Sequence, residues 1–392
     1  MDRLRNGLKI NVYIFGIAAF VFACSSVKKE KQKLPALKQI TLQRDLNISA
    51  GTSKEKIGSF QGLAVDKKGE MYVVDKKLTT IHVFSPDGHY LGSIGRKGKG
   101  PGEFASINSK LKIVNDTMYV QDRSQRRIDL INIRTRKWIR SFNIPNAKFK
   151  GTSLGAPRDM LPLPDGNILE SFRLPYYSKP KKLTHQMTVA LFNPTGNFIK
   201  KDFTQIPVLF PTDQALVHIQ RASGQIRSVT VYNHLTFYPT TILTTDPKGH
   251  LFVGRTDSVS LNEYDNNGQL TGTIKGNSPI AKMTDNLKDS LLFKIPFTSN
   301  TYRKVIKKAG IPKHWPAWQN VLFDNKDRCY VELLNPGKKY QTWWIFNAHK
   351  KPEWKFTLPS EVTLYAVRNG EAYGIWSKKG QFQRLVRYHV KI

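Results

Sequence analysis

Leu63-Ala64-Val65-Asp66-Lys67-Lys68-Gly69-Glu70-Met71-Tyr72-Val73 decides the fold, because a stretch on the same plan returns five more times. The plan is an apolar strand, a turn rich in Asp, Asn, Gly and Lys, and a second apolar strand that is often led by an aromatic residue. The later copies occupy 111–120 (LKIVNDTMYV), 161–169 (LPLPDGNIL), 242–253, 321–331 and 364–375. Each is a hairpin signal, since Asn, Asp and Gly supply the tight-turn geometry between alternating strands. A second hairpin follows five of them, over 81–94, 128–142, 189–203, 261–274 and 343–356. Two hairpins make four strands, and four-stranded sheets repeated radially are propeller blades.

The expected fold is therefore all-β: one six-bladed β-propeller over 39–392. The sixth repeat stops after its third strand, 384–390, so an orphan strand at 39–43 (QITLQ) is expected to close the ring and remove the exposed edges. Seven blades stay open as an alternative, because the span from Leu169 to Phe252 is long and holds the strand-like 227–232. The pattern breaks over 281–310, where 285–292 and 301–308 space apolar residues three or four apart before Gly310 and Pro312. This reads as a short helical insertion between blades four and five.

The first residues form an address. Arg3, Arg5 and Lys9 precede an apolar run over 12–23, too short for a bilayer span of about 20 residues and suited to a signal peptide. It ends in Val21-Phe22-Ala23-Cys24-Ser25-Ser26, which resembles a bacterial lipobox. That resemblance implies a leader of residues 1–23, cleavage before Cys24 and lipidation of Cys24, a membrane anchor built from several acyl chains. Residues 24–38, charged and Pro-containing, read as a flexible tether.

Tyr119-Val120-Gln121-Asp122-Arg123-Ser124-Gln125-Arg126-Arg127-Ile128 resembles an NHL-type repeat, and Gly95 to Phe104 resembles the inter-blade connection of that group. The chain after Cys24 is similar to the six-bladed β-propeller lipoproteins of Bacteroidetes and related bacteria. The resemblance implies a cell-envelope location, lipid-anchored and at the outer membrane; that family has no agreed activity.

Charge narrows the partners. Lys+Arg is 62 against 29 Asp+Glu, a formal net charge of +33, and a field of that sign attracts anionic surfaces and polyanions. In a propeller the loops joining strands two and three share a face with the inter-blade connections. Those segments carry Lys76, Lys77, Arg96, Lys97, Lys99, Arg123, Arg126, Arg127, Arg255, Lys338, Lys339, Lys378 and Lys379, the candidate binding residues. An anionic glycan or an envelope protein fits such a face. Interleaved aromatics for stacking bases are missing from these loops, so nucleic acid is not the expected partner.

Catalytic signals are sparse. The two cysteines, Cys24 and Cys329, exclude a disulfide framework; Cys329 lies between apolar strand positions and reads as core. The nine histidines show no metal-ligand spacing, and the Gly-rich 95–102 lacks a phosphate-loop ending. Asp75, Asp122, Glu170 and Asp257 fall in or just after second strands, where they would line the channel mouth or bond nearby backbone. The cluster 314–318 (HWPAW) reads as packing for the insertion or as a ligand surface. Two functions follow: a non-catalytic binding or scaffolding module with no cofactor, or a metal-dependent hydrolase or lyase, of the gluconolactonase or peptide-amide lyase type, that would use calcium.

Overall fold

The computed structural model describes residues 36–51, 57–145, 148–149, 152–153, 157–172, 184–209, 215–220, 226–231, 238–284 and 312–392. The leader, Cys24, most of the tether and both segments expected as helices lie outside these residues. Among the described residues all regular structure is β.

Six antiparallel sheets hold the blades, each ordered from its first strand to its fourth. Blade one uses Phe60–Val65, Met71–Asp75, Thr80–Phe84 and Tyr90–Ile94; blade two uses Lys112–Val114, Thr117–Asp122, Arg127–Asn132 and Lys137–Asn143. Blade three is Pro157–Pro162, Ile168–Phe172, Thr184–Phe192 and Phe198–Leu209, and blade four is Thr241–Thr245, Leu251–Arg255, Val259–Tyr264 and Leu270–Gly276. Blade five is Trp318–Phe323, Cys329–Leu333, Tyr340–Phe346 and Pro352–Pro359, and blade six is Val362–Arg368, Glu371–Trp376 and Arg384–His389, with Gln43–Ser49 outermost. First strands lie beside first strands all the way round, and that of blade six returns to that of blade one. This is a closed ring of six.

The recurring turn has a local cause. Asp66 Oδ1 accepts the N–H groups of Lys68 and Glu70, each at 2.9 Å. Asp246 does the same for Lys248 and His250, and Asp324 for Lys326 and Arg328. A carboxylate that gathers two backbone donors fixes the turn without help from elsewhere.

Packing is organised as seams between blades, and six buried clusters fill them. Tyr72, Val74 and Ile81 of blade one meet Met118, Val120 and Ile131 of blade two. Phe252 and Leu261 of blade four meet Trp318 and Phe346 of blade five. Tyr373 and Ile375 of blade six, with Leu46 of the closing strand, meet Phe60, Met71 and Val73 of blade one. Cys329 is buried in the fourth-to-fifth seam. Some contacts leave no room for a side chain: a Cβ at Gly62 would run into the backbone of Ser109, on the approach to blade two.

Two expectations shift. Closure falls to Gln43–Ser49, paired antiparallel with Arg384–His389, and not to 39–43. Lys38–Gln39 instead run parallel to Trp354 and Lys355 on the outer strand of blade five, so the chain joins the propeller before the end of the expected tether. The closing strand was disguised by charge, because it carries Arg44 and Asp45 beside only two large apolar residues. Asp45 accepts hydrogen bonds from Arg387, at 2.6 Å from its Nη2, which satisfies an acid on a strand. Among the described residues there is no seventh four-stranded blade: Ala215–Gln220 and Ile226–Val231 pair with each other, as a hairpin between blades three and four in the sequence.

Leu46, 8% exposed on the closing strand, tests this seam against Leu270, 60% exposed on an outer strand. Leu46→Ala is expected to lower unfolding stability by about 2–5 kcal/mol in urea titrations, whereas Leu270→Ala stays within about 0.5 kcal/mol. Equal effects would mean that the seam does not carry closure.

Candidate functional site

Antiparallel strands put the loops between strands two and three on the face that also carries the inter-blade connections; the Asp-led turns lie on the opposite face. On the loop face Lys76, Lys77, Arg96, Lys97, Lys99, Arg123, Arg255, Lys338, Lys339, Lys378 and Lys379 are exposed, and Arg126 is half-buried. Arg96 pairs with Glu103 at 2.9 Å and Arg255 pairs with Asp257. Among the described residues the eight lysines of this set have no acidic partner.

Arg127 differs. It is buried, and four of its five N–H donors are engaged: Nε to Asp129 Oδ2 at 3.0 Å, Nη1 to Lys99 O at 2.9 Å, and Nη2 to Gly100 O and Glu103 O. It clamps the first inter-blade connection to blade two.

The acids also separate by role. Asp75 is fully buried and accepts from the N–H groups of Gly58, Lys77 and Leu78 and from His82 Nε2 at 3.1 Å. Asp122 accepts from Ala105 and Ser106 on the connection and from Ser124 and Gln125 on its own loop. Burial alone would raise both carboxyls, but these donors outweigh it and hold them below the usual range. Thr256 does the equivalent work in blade four, its Oγ1 accepting from Thr240 N at 2.8 Å. These side chains are loop fasteners. Asp257, half-buried, sits against Arg255.

Glu170 is another matter. Fully buried in the second strand of blade three, it accepts from Gln121 Nε2 of blade two, at 3.1 Å to each oxygen, and from the Arg158 backbone. Burial, with Asp159 nearby, pushes its carboxyl up to about 8. Asn108 Nδ2 donates to Gln121 Oε1 at 2.8 Å, which extends the chain of bonds between the blades. Beside it, burial would raise Asp159, but Lys110 at 2.7 Å and Arg158 at 3.3 Å hold it well below the carboxylate range. Lys112, on the same stretch of blade two, is drawn down to about 8 by burial and by Lys110. Asn108, Lys110, Lys112, Arg158 and Asp159 escaped the sequence reading. The signal available was the constant offset of 49 positions in Lys110–Asp159 and Gln121–Glu170.

Among the described residues, two groups have the composition of a metal site: Asp45, Glu371 and His389, and Asp246, His250 and Glu263. Both lie at the turn face. The first already holds Arg387 on Asp45 and the second holds Lys350 on Glu263. Neither is at the axis. Of the cluster at 314–318, Trp318 is buried in the fourth-to-fifth seam and its Nε1 donates to Arg255 O at 3.0 Å and Ser258 O at 2.7 Å, so it packs. Cys329 has its thiol pushed up by burial and sits in the core.

Among known proteins, residues 52–220 match the model of a family described as DUF5128, 6-bladed β-propeller. No curated protein matches the chain. A Bacteroides fragilis protein whose description marks it as exported is similar in structure, with 12% identity, 91% of this chain and 99% of that one covered, and a TM-score of 0.52. A DUF4221 family member from Bacteroides vulgatus is similar at 12% identity, 90% and 98% coverage and a TM-score of 0.51. Virginiamycin B lyase from Staphylococcus aureus follows at 11% identity, 90% and 99% coverage and 0.42. At such identities the likeness is one of fold.

The titration of Glu170 has a sign. Its folded value lies above the usual carboxyl value, so the stability tied to its neutral form is complete at pH 4 and is lost as pH rises through about 8. Glu332, raised to about 7 by burial, acts in the same direction. Glu170→Gln, which keeps an oxygen to accept from Gln121, is expected to match the parent at pH 4 and to melt several degrees higher at pH 9. Parallel melting curves across that range would show that Glu170 does not titrate in the folded protein.

Proposed function

We propose that this chain is a cell-envelope lipoprotein, anchored at the outer membrane through Cys24, whose propeller is a non-catalytic binding module for an anionic glycan or an envelope partner protein. The observation that carries the binding reading is the loop face: Lys76, Lys77, Lys97, Lys99, Lys338, Lys339, Lys378 and Lys379 are exposed with no acidic partner among the described residues, while Asp75 and Asp122 on that side are buried under backbone donors. A face with its cations outward and its acids withdrawn attracts anions, and does so in a salt-dependent way. Anchoring rests on the apolar run over 12–23 ending at Ala23-Cys24. The exported relative from Bacteroides fragilis accords with that location. A metal-dependent hydrolase or lyase, the competing reading, needs carboxylates and histidines converging at the channel; among the described residues, the two groups of that composition lie on the turn face, against Arg387 and Lys350.

The test is binding of the mature chain to polygalacturonate across a salt series. Affinity is expected to fall steeply with added NaCl. Changing Lys76, Lys77, Lys338, Lys339, Lys378 and Lys379 together to Glu should weaken it at least about tenfold, the equivalent of about 1.4 kcal/mol. Binding that ignores both salt and charge reversal would remove the basic face from the mechanism. For the anchor, Cys24→Ala is expected to move the protein from the membrane pellet to the soluble fraction, and retention in the pellet would overturn it.

A further inference from the structure

Blade two contains an open cleft of about 750 Å³, lined by Lys99, Ala105, Ser124, Gln125, Arg127 and the run Ser141-Phe142-Asn143. The first inter-blade connection forms one wall, the loop after the second strand another, and the end of the outer strand the third. The volume suits a small-molecule site, which typically spans about 300–1,000 Å³.

The chemistry of the wall follows from which groups are already engaged. Arg127 has four of its five donors committed to Asp129 and to three carbonyls of the connection. Ser141 donates to Asp129 Oδ1 and accepts from Trp138 Nε1 at 2.9 Å. Gln125 gives its Nε2 to Asp122 at 2.8 Å, so its amide is engaged through the nitrogen and its carbonyl oxygen keeps acceptor capacity. Ser124 donates to Asp122 and keeps acceptor capacity. The exposed Asn143 amide and the exposed Lys99 ammonium have no side-chain partner among the described residues. Phe142 lines the cleft by its place on the strand, but its ring packs into the second-to-third seam beside Gly196. The wall therefore offers one free cation and several neutral donors and acceptors.

We infer that this cleft is a subsite for an acidic sugar, with a hexuronate carboxylate at Lys99 and its hydroxyls at Asn143, Gln125 and Ser124. One carboxylate among several hydroxyls matches one ammonium among several amides and hydroxyls. A polyphosphate would need more free cations than the wall supplies. The inference deepens the binding reading proposed above and rests on it. Arg127 is a positioning residue here, because its clamp on the carbonyls of Lys99, Gly100 and Glu103 holds the loop that carries Lys99 against blade two.

Calorimetric titration of the mature chain with digalacturonate, and with neutral digalactose as the comparison, tests the cleft. Saturable binding of one digalacturonate per chain is expected, with digalactose at least about tenfold weaker. Lys99→Met and Asn143→Ala should each weaken digalacturonate at least about fivefold without moving the unfolding midpoint, since both side chains are exposed and unbonded. Lys67→Ala with Lys68→Ala, on the turn face, should leave it unchanged. Polygalacturonate retention that persists while digalacturonate fails to bind, or binds equally well to the Lys99 and Asn143 variants, would overturn the cleft and leave the basic face standing. Loss of both ligands in the parent chain would sink the two readings together.

Discussion

Burial between blades is the constraint on which the molecule depends. A four-stranded sheet has two faces, and neither is covered within its own blade. Tyr72 and Val74 are removed from water only because Met118 and Val120 stand opposite, and the same holds at each of the six seams. No blade is a folding unit by itself, which is the general condition of repeat architectures. The clash that Gly62 would meet at Ser109 on gaining a side chain shows how closely the first strand of blade one approaches the segment that leads into blade two. Once the seams are filled, loop positions follow: every link between second and third strands emerges on one face, and function has to be built from what those links carry.

That face is electrostatically lopsided because the fold treats acids and bases differently there. Short acids reach backbone N–H groups that a connection would otherwise leave unsatisfied, so Asp75 and Asp122 turn inward and stay ionised. Lysines are too long and too strongly hydrated for such a role and remain in water. Blade three shows the limit of this arrangement. Glu170 meets one side-chain amide where Asp122 meets four donor residues, and it is held as the neutral acid. Asp159, opposite Ser171 in the same sheet, stays charged because Lys110 and Arg158 answer it. The two carboxyls thus sit in opposite states because paired cations stand against Asp159 and none among the described residues is paired with Glu170.

The repeat was legible because its cause is local. Asp66, Asp246 and Asp324 make their turns with their own backbone, so the six hairpins and the ring of six could be read from spacing. Closure was only half legible. A partner strand was missing from blade six, but Gln43–Ser49 is polar along most of its length, and Arg387, which makes Asp45 acceptable there, lies hundreds of positions away. The candidate residues followed the same division. Loop lysines were found from topology, whereas the commitment of Arg127 to three carbonyls, and the bridge from Gln121 to Glu170, depend on which blades face each other. The Gly-rich 95–102, read from sequence as a connection, proves to be the segment that Arg127 grips.

Closure also orders events in time. Asp45 and Arg387 are separated by 342 positions, so the last blade cannot be completed until nearly the whole chain is available. Non-local pairing of this kind is slow, because loop-closure entropy is lost before contacts reward it. Until then Gln43–Ser49 is an unpaired strand whose edges invite pairing with another chain. The charged residues that hid the closing strand from sequence reading, Arg44 and Asp45, keep that waiting strand soluble. The opposing Arg387 makes the edge of Arg384–His389 a poor template for apolar strands and a good one for its own acidic partner.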